Sequence, residues 1–179
     1  MPTPPIREVD RPTYPGLNFV STQLWREWLL IYESAFQRFE YNVRIGQGLR
    51  APAGATEAEA KMWKYLTQKR IDVVAFRPGQ TWIIEIEERP GARTYGQLNL
   101  YFLMADEYLA VQGKKINALI CRRLGYDMFK AFRASDAIIF KFAPGYPPAL
   151  PPSFPPPNVG TEFQNIAESY GHPAVRPNE

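Results

Sequence analysis

Residues 70–87 read RIDVVAFRPGQTWIIEIE, and this stretch decides the fold. Two β-branched and aromatic runs, 70–76 and 82–87, flank Arg77-Pro78-Gly79-Gln80, so the segment predicts an antiparallel hairpin turning at Pro78-Gly79. If the hairpin is centred near Gly79, paired residue numbers sum to about 158, which sets Asp72 beside Ile86. Glu85 and Glu87 are then its neighbours across the ladder, and side-chain alternation puts both on one face. Three carboxylates thereby gather in a sheet otherwise built from Ile, Val and Trp, where charged groups are seldom buried alone. Like charges so close need a cation, an Arg or a proton to offset them. Mg²⁺ held by two carboxylates, water and a substrate phosphate is the economical resolution. The plain alternative is a solvent-facing hairpin with ordinary charged residues.

Outward from the hairpin, the apolar period switches repeatedly between helix and strand. Residues 22–39 place Leu24, Trp25, Trp28, Leu29, Tyr32, Phe36 and Phe39 on one helical stripe. Tyr41–Ile45 reads as a short strand that ends in the Gly46-Gln47-Gly48 turn. Residues 56–68 read as a helix opened by a Thr56/Glu59 capping box. A long helix follows over 94–111, a strand over 116–122, a short helix over 127–134 and a strand over 137–142. The order α-β-α-β-β-α-β-α-β predicts an α/β fold, a mixed β-sheet flanked by helices.

Proline marks the limits of that domain. Of 18 prolines, five lie in residues 1–15 and ten from Pro144 onward. Pro52, Pro78 and Pro90 fall between periodic segments, as a folded domain requires. The division is an extended N-terminal arm (1–18), an α/β domain (19–143) and a Pro-rich C-terminal arm (144–179). The stretch PGYPPALPPSFPPP predicts extended polyproline-like chain. Its Tyr146, Leu150 and Phe154 are candidate partner-binding residues. Arms of this kind suit a subunit that straps itself onto other protein subunits, homo-oligomers included.

Composition excludes several chemistries. One cysteine, Cys121, allows neither an internal disulfide nor a Cys-based zinc site, and one histidine, His172, removes multi-His metal sites. Cys121, on a predicted strand, reads as a small core residue. No apolar run spans a bilayer and no signal peptide opens the chain, so the expectation is a cytoplasmic or virion-associated protein with no membrane partner. Net charge is +3, from 21 basic and 18 acidic residues. The basic residues do cluster, in Lys61/Lys64/Lys69/Arg70, Arg89/Arg93 and Lys114/Lys115/Arg122/Arg123, and a solvated surface is the plain reading of each group.

Asp72 on one strand, Glu85-Ile86-Glu87 on the next, and Gln97-Leu98-Asn99-Leu100-Tyr101 on a following helix resemble the PD-(D/E)XK nuclease superfamily. The Q-x-x-x-Y helix resembles its RecB-like branch. The resemblance covers roughly residues 22–142 and implies a restriction-endonuclease-like core, with 56–68 as an inserted helix. It implies Asp72 and Glu85 as Mg²⁺ ligands, with the Ile86 carbonyl assisting. Gln97 would orient water or phosphate, Tyr101 would support the site or touch the nucleic-acid backbone, and a helix acid (Glu27, Glu33 or Glu40) often completes such a set. On the residues alone, Gln97 and Tyr101 could equally cap a core face.

The family's Lys is here Glu87, which inverts the charge at a catalytic position, although some restriction endonucleases of the superfamily carry Glu there. Lys69, Arg70, Arg89 and Arg93 are the candidate nucleic-acid-binding cations. Two functions follow. One is a nuclease-fold protein with a degenerate active site and an assembly role, of the phage head-completion or head–tail connector kind. The other is an active Mg²⁺-dependent DNase. A DNA-binding pseudonuclease is a third reading. The first is the expectation, because long Pro-rich arms serve a small nuclease poorly and net charge is modest for gripping a polyanion.

Overall fold

The computed structural model describes residues 7–142; the C-terminal arm, with Tyr146, Leu150 and Phe154, lies outside them. Five strands form one sheet in the order β1-β2-β3-β4-β5. They are β1 (Arg38–Ile45), β2 (Lys69–Arg77), β3 (Gln80–Ile86), β4 (Lys114–Cys121) and β5 (Ile138–Lys141). Strand β2 runs antiparallel to both β1 and β3, whereas β3, β4 and β5 run parallel, so the sheet is mixed. Helix α1 (Phe19–Tyr32) covers one face, and α3 (Ala92–Tyr108) and α4 (Tyr126–Ala134) cover the other. Helix α2 (Glu57–Thr67) connects β1 to β2 and buries none of its residues. The fold is thus α/β, a mixed sheet between helices.

The α1 face is built from rings. Trp25 and Trp28 stack at 4.8 Å, and Trp28 also meets Phe36 at 5.2 Å and Phe140 at 5.8 Å. Helix α1 is shorter than the 22–39 stripe predicts. It ends at Tyr32, a 3₁₀ turn spans Glu33–Ala35, and β1 starts at Arg38 rather than Tyr41. Phe36 and Phe39 satisfy helical spacing, yet they reach the same core from an extended backbone because Arg38–Tyr41 pair with Val73–Phe76. Tertiary pairing outweighs the local period there.

Residues 7–18, within the expected arm, fold back on the domain. Tyr14 is buried and its hydroxyl donates to the Glu8 carbonyl at 2.7 Å. The Arg26 guanidinium donates to the carbonyls of Arg11 and Pro12 at 2.8 and 3.0 Å.

The hairpin forms as expected but its register differs by one. Arg77 pairs with Gln80 and Val73 with Ile84, so partners sum to 157. A two-residue turn centres between Pro78 and Gly79, not on Gly79, and that brings Asp72 opposite Glu85 instead of Ile86. Gly79 also receives the loop before β4. Gly113, at φ +67°, packs so tightly that a Cβ there would lie 2.1 Å from the Gly79 carbonyl oxygen. Gly113→Ala therefore meets both a left-handed backbone and a backbone clash, and is expected to cost about 2–4 kcal/mol, read as a lowered urea midpoint at unchanged m-value.

Candidate active site

At Asp72 the sheet stops following strict alternation. Val73 faces the α1 layer and Val74 the α3 layer, but Ile71 also joins the α3 layer. Across the ladder, Tyr41 packs toward α1 and Val43 toward α3. Between them Asn42 adopts φ +53°, and the register skips the position where it would face Asp72. Both strands kink at one level. Asn is among the few residues that accept this backbone cheaply.

The kink frees the Asp72 carboxylate to act where a ladder bond would run. Its Oδ2 accepts from the Ile86 N–H at 2.9 Å, while Glu85 Oε1 accepts from the Asp72 N–H at 3.3 Å. Each acid thus holds the other's strand and keeps one oxygen outside these bonds. Glu85 is only 7% exposed. Burial pushes the Asp72 carboxyl up to about 6; the Ile86 N–H opposes this and the Glu87 charge adds to it. Burial, then the Asp72 charge, push Glu85 well above the ordinary carboxylate range.

Helix α3 sets the third side. Gln97 Nε2 donates to the Tyr101 hydroxyl at 3.2 Å. Tyr101 is buried, and burial followed by the Glu85 charge raises its pKa. The Q-x-x-x-Y pair therefore stands beside the carboxylates, with Tyr101 fixed and Gln97 half-buried.

The other predicted residues fall into two groups. Glu87 lies exposed just beyond β3, its N–H bonded to the Ile120 carbonyl at 3.0 Å; its charge reaches both acids from the rim. Lys69 and Arg70 open β2, and Arg89 and Arg93 lie between β3 and the first turn of α3, all exposed at this end of the sheet. Arg93 lowers the Glu85 pKa, so its charge faces the pair. The three helix-acid candidates are engaged elsewhere. Glu27 pairs with Arg122, Glu33 binds Arg7 and the Glu8 N–H, and Glu40 pairs with Arg38.

Ser21 and Asn42 carried no signal in the sequence. The Ser21 hydroxyl donates to the Ile86 carbonyl at 3.2 Å, so that oxygen already has one donor from α1.

Among the described residues no group of three or more His, Cys, Asp and Glu side chains is arranged to hold a metal ion. The donor set is two carboxylates, which suits Mg²⁺, an ion that keeps several waters and takes one or two protein carboxylates. Their raised pKa values fit as well, since burying two acids side by side without a cation is unfavourable. No helix among the described residues is long and apolar enough to cross a membrane.

No family model matches the chain, and no curated protein matches it. Two solved structures are similar. The crystal structure of AF1548, a protein of unknown function, gives a TM-score of 0.47 at 18% identity, over 90% of this chain and 73% of that one. The small subunit of the heterodimeric restriction endonuclease R.BspD6I gives a TM-score of 0.37 at 6% identity, over 83% and 68%. What the site does rests on its own side chains.

Proposed function

We propose that this chain is a nuclease-like domain whose Asp72–Glu85 pair holds a divalent cation against a nucleic-acid phosphate, with hydrolysis of that phosphodiester as its activity. The observation that carries this reading is the Asp72–Glu85 carboxylate pair, half-buried Asp72 against buried Glu85, which lies beside Gln97 and Tyr101 and is rimmed by exposed cations. A bound Mg²⁺ would supply charge screening and an activated water. The chain's own part is positional. Asp72 and Glu85 are fixed by each other's backbone, and Tyr101 is held by Gln97. Gln97 has a carboxamide oxygen left to orient water, while Lys69, Arg70, Arg89 and Arg93 draw the phosphate backbone to the sheet end.

The test is cleavage of linear, nicked and single-stranded DNA with Mg²⁺ or Mn²⁺. Asp72→Asn and Glu85→Gln, which preserve the N–H contacts, are expected to lower the rate at least ~100-fold. Glu87→Lys, which removes a repelling charge from the rim and adds an attracting one, is expected to raise it. A folded, monodisperse wild type that cuts none of these substrates with either metal overturns the hydrolytic reading.

The assembly reading, a virion head-completion or head–tail connector subunit, draws its support from the Pro-rich composition of residues 144–179. Deleting 144–179 tests it through oligomeric state and partner capture. An unchanged oligomer with unchanged partners would remove it.

A further inference from the structure

Helix α2 is unlike the rest of the domain. Its Met62, Trp63, Tyr65 and Leu66 are 56%, 41%, 48% and 60% exposed. It is nevertheless anchored at its C-terminal end. The Gln68 carboxamide donates to the Gly46 carbonyl at 2.7 Å, Thr67 Oγ1 accepts from the Leu49 N–H at 2.7 Å, and the Arg44 guanidinium lies 3.5 Å over the Tyr65 ring. Gly48 permits the close seat, since a Cβ there would meet the Lys64 carbonyl oxygen at 2.4 Å.

Charge is concentrated here too. Residues 44–70 hold six basic residues against Glu57 and Glu59, a net +4, whereas the whole chain carries +3. The remainder is net −1. Three of the six, Arg44, Lys69 and Arg70, stand on the strand ends that flank the excursion, so the positive excess gathers where α2 joins the sheet. Ile45 pairs with Lys69 at the end of the sheet where β3 finishes, so α2 springs from the same end as Asp72 and Glu85.

We propose that α2 is a grip for single-stranded nucleic acid, with unpaired bases stacking on Trp63 and Tyr65 and the backbone drawn along Lys61, Lys64, Lys69 and Arg70 toward the acid pair. This rests on the nucleic-acid reading of the site and adds the form of the substrate. The cations gathered at the foot of α2, Arg44, Lys69 and Arg70 beside Lys61 and Lys64, attract a polyanion. The exposed Trp63 ring, and Tyr65 with Arg44 already stacked on one face, suit unstacked bases, because every base offers a π-face. A duplex would keep its bases from them.

Trp63 supplies its own probe. The other three tryptophans, Trp25, Trp28 and Trp82, are at most 1% exposed, so solvent-accessible indole emission comes from Trp63. The experiment is titration of the full chain with an oligothymidylate of about 15 nucleotides in EDTA, reading tryptophan quenching and oligonucleotide anisotropy. Quenching is expected, with Trp63→Ala weakening binding about tenfold. Lys61→Gln with Lys64→Gln should flatten the log–log salt slope by about 1.4. Helix α2 buries no residue, so these variants should keep the wild-type thermal midpoint.

Wild-type binding by both variants overturns the proposal, as does an oligonucleotide that leaves the emission unchanged. A dimer that Met62→Glu and Leu66→Glu dissociate, with no oligonucleotide bound, would assign the face to protein and also overturn it. Binding in EDTA and cleavage in Mg²⁺ are separate readouts. Binding without cleavage removes hydrolysis and leaves the grip standing; cleavage without α2-dependent binding does the reverse.

Discussion

In EDTA at about pH 8, Asp72→Asn should melt roughly 5 °C above the wild type, and at about pH 4 the two should melt together. The sign follows from where the proton sits. A carboxyl raised to about 6 keeps its proton in the folded chain, while the unfolded chain releases it near its ordinary value of 3.8. Between those values the folded state binds more protons, so stability falls as pH rises. Above about 6 the whole penalty is present, on the order of 1–3 kcal/mol for the coupled pair. Asn keeps an acceptor for the Ile86 N–H without the charge. Mg²⁺ offers the wild type the same relief, so millimolar Mg²⁺ at about pH 8 should raise its midpoint and leave that of Asp72→Asn combined with Glu85→Gln unmoved. A lower midpoint for Asp72→Asn in EDTA at that pH would mean that a cation of the chain, Arg93 foremost, already neutralises the pair.

Trp28→Ala is expected to cost about 3–5 kcal/mol, enough to lower the melting midpoint by roughly 10 °C or more. Trp28 is fully buried and in ring contact with Trp25, Tyr32, Phe36, Phe39 and Phe140. Its removal opens a cavity between α1 and the sheet that so many stiff rings cannot refill. Trp28→Phe is the informative control. The Trp28 indole N–H is buried with no hydrogen-bond partner among the described residues, so Phe loses ring area but also removes an unsatisfied donor. The Phe variant should therefore lose less than half of what Ala loses. Equal losses in a denaturant titration would mean that the N–H has a partner, for instance a buried water.

Much of this was legible in the sequence because the signals were local. Pro78-Gly79 between two β-rich runs predicts the hairpin, and Thr56 with Glu59 predicts the cap, where the Thr56 N–H donates to Glu59 Oε2 at 2.8 Å. Side-chain alternation carried Asp72 and Glu85 to within one residue of their true register, and i,i+4 spacing placed Gln97 with Tyr101. What escaped depends on contacts distant in sequence. The end of α1 is set by a strand some 35 residues further on. The αL conformation of Asn42 has meaning only opposite Asp72. Glu27 became a candidate for its position on a helix, yet its partner Arg122 comes from the far end of β4. The exposure of α2 could not be read from its sequence either, since Met62, Trp63 and Leu66 would serve a buried helix just as well.

The direction of the last two strands has a practical consequence. β4 and β5 run parallel to β3, so Phe142 stands at the pole of the sheet where Ile86 ends and the acid pair opens. The first described residue, Arg7, pairs with Glu33 just past the end of α1, whose start is bonded to Ile86. The described residues therefore begin at one pole and end at the other. A bulky fusion joined directly after Phe142 would be planted at the mouth of the site and could mimic inactivity, whereas one joined directly before Arg7 would stand clear of it. A preparation shortened to Phe142 should therefore carry its tag ahead of Arg7 before any loss of cleavage is ascribed to Glu87.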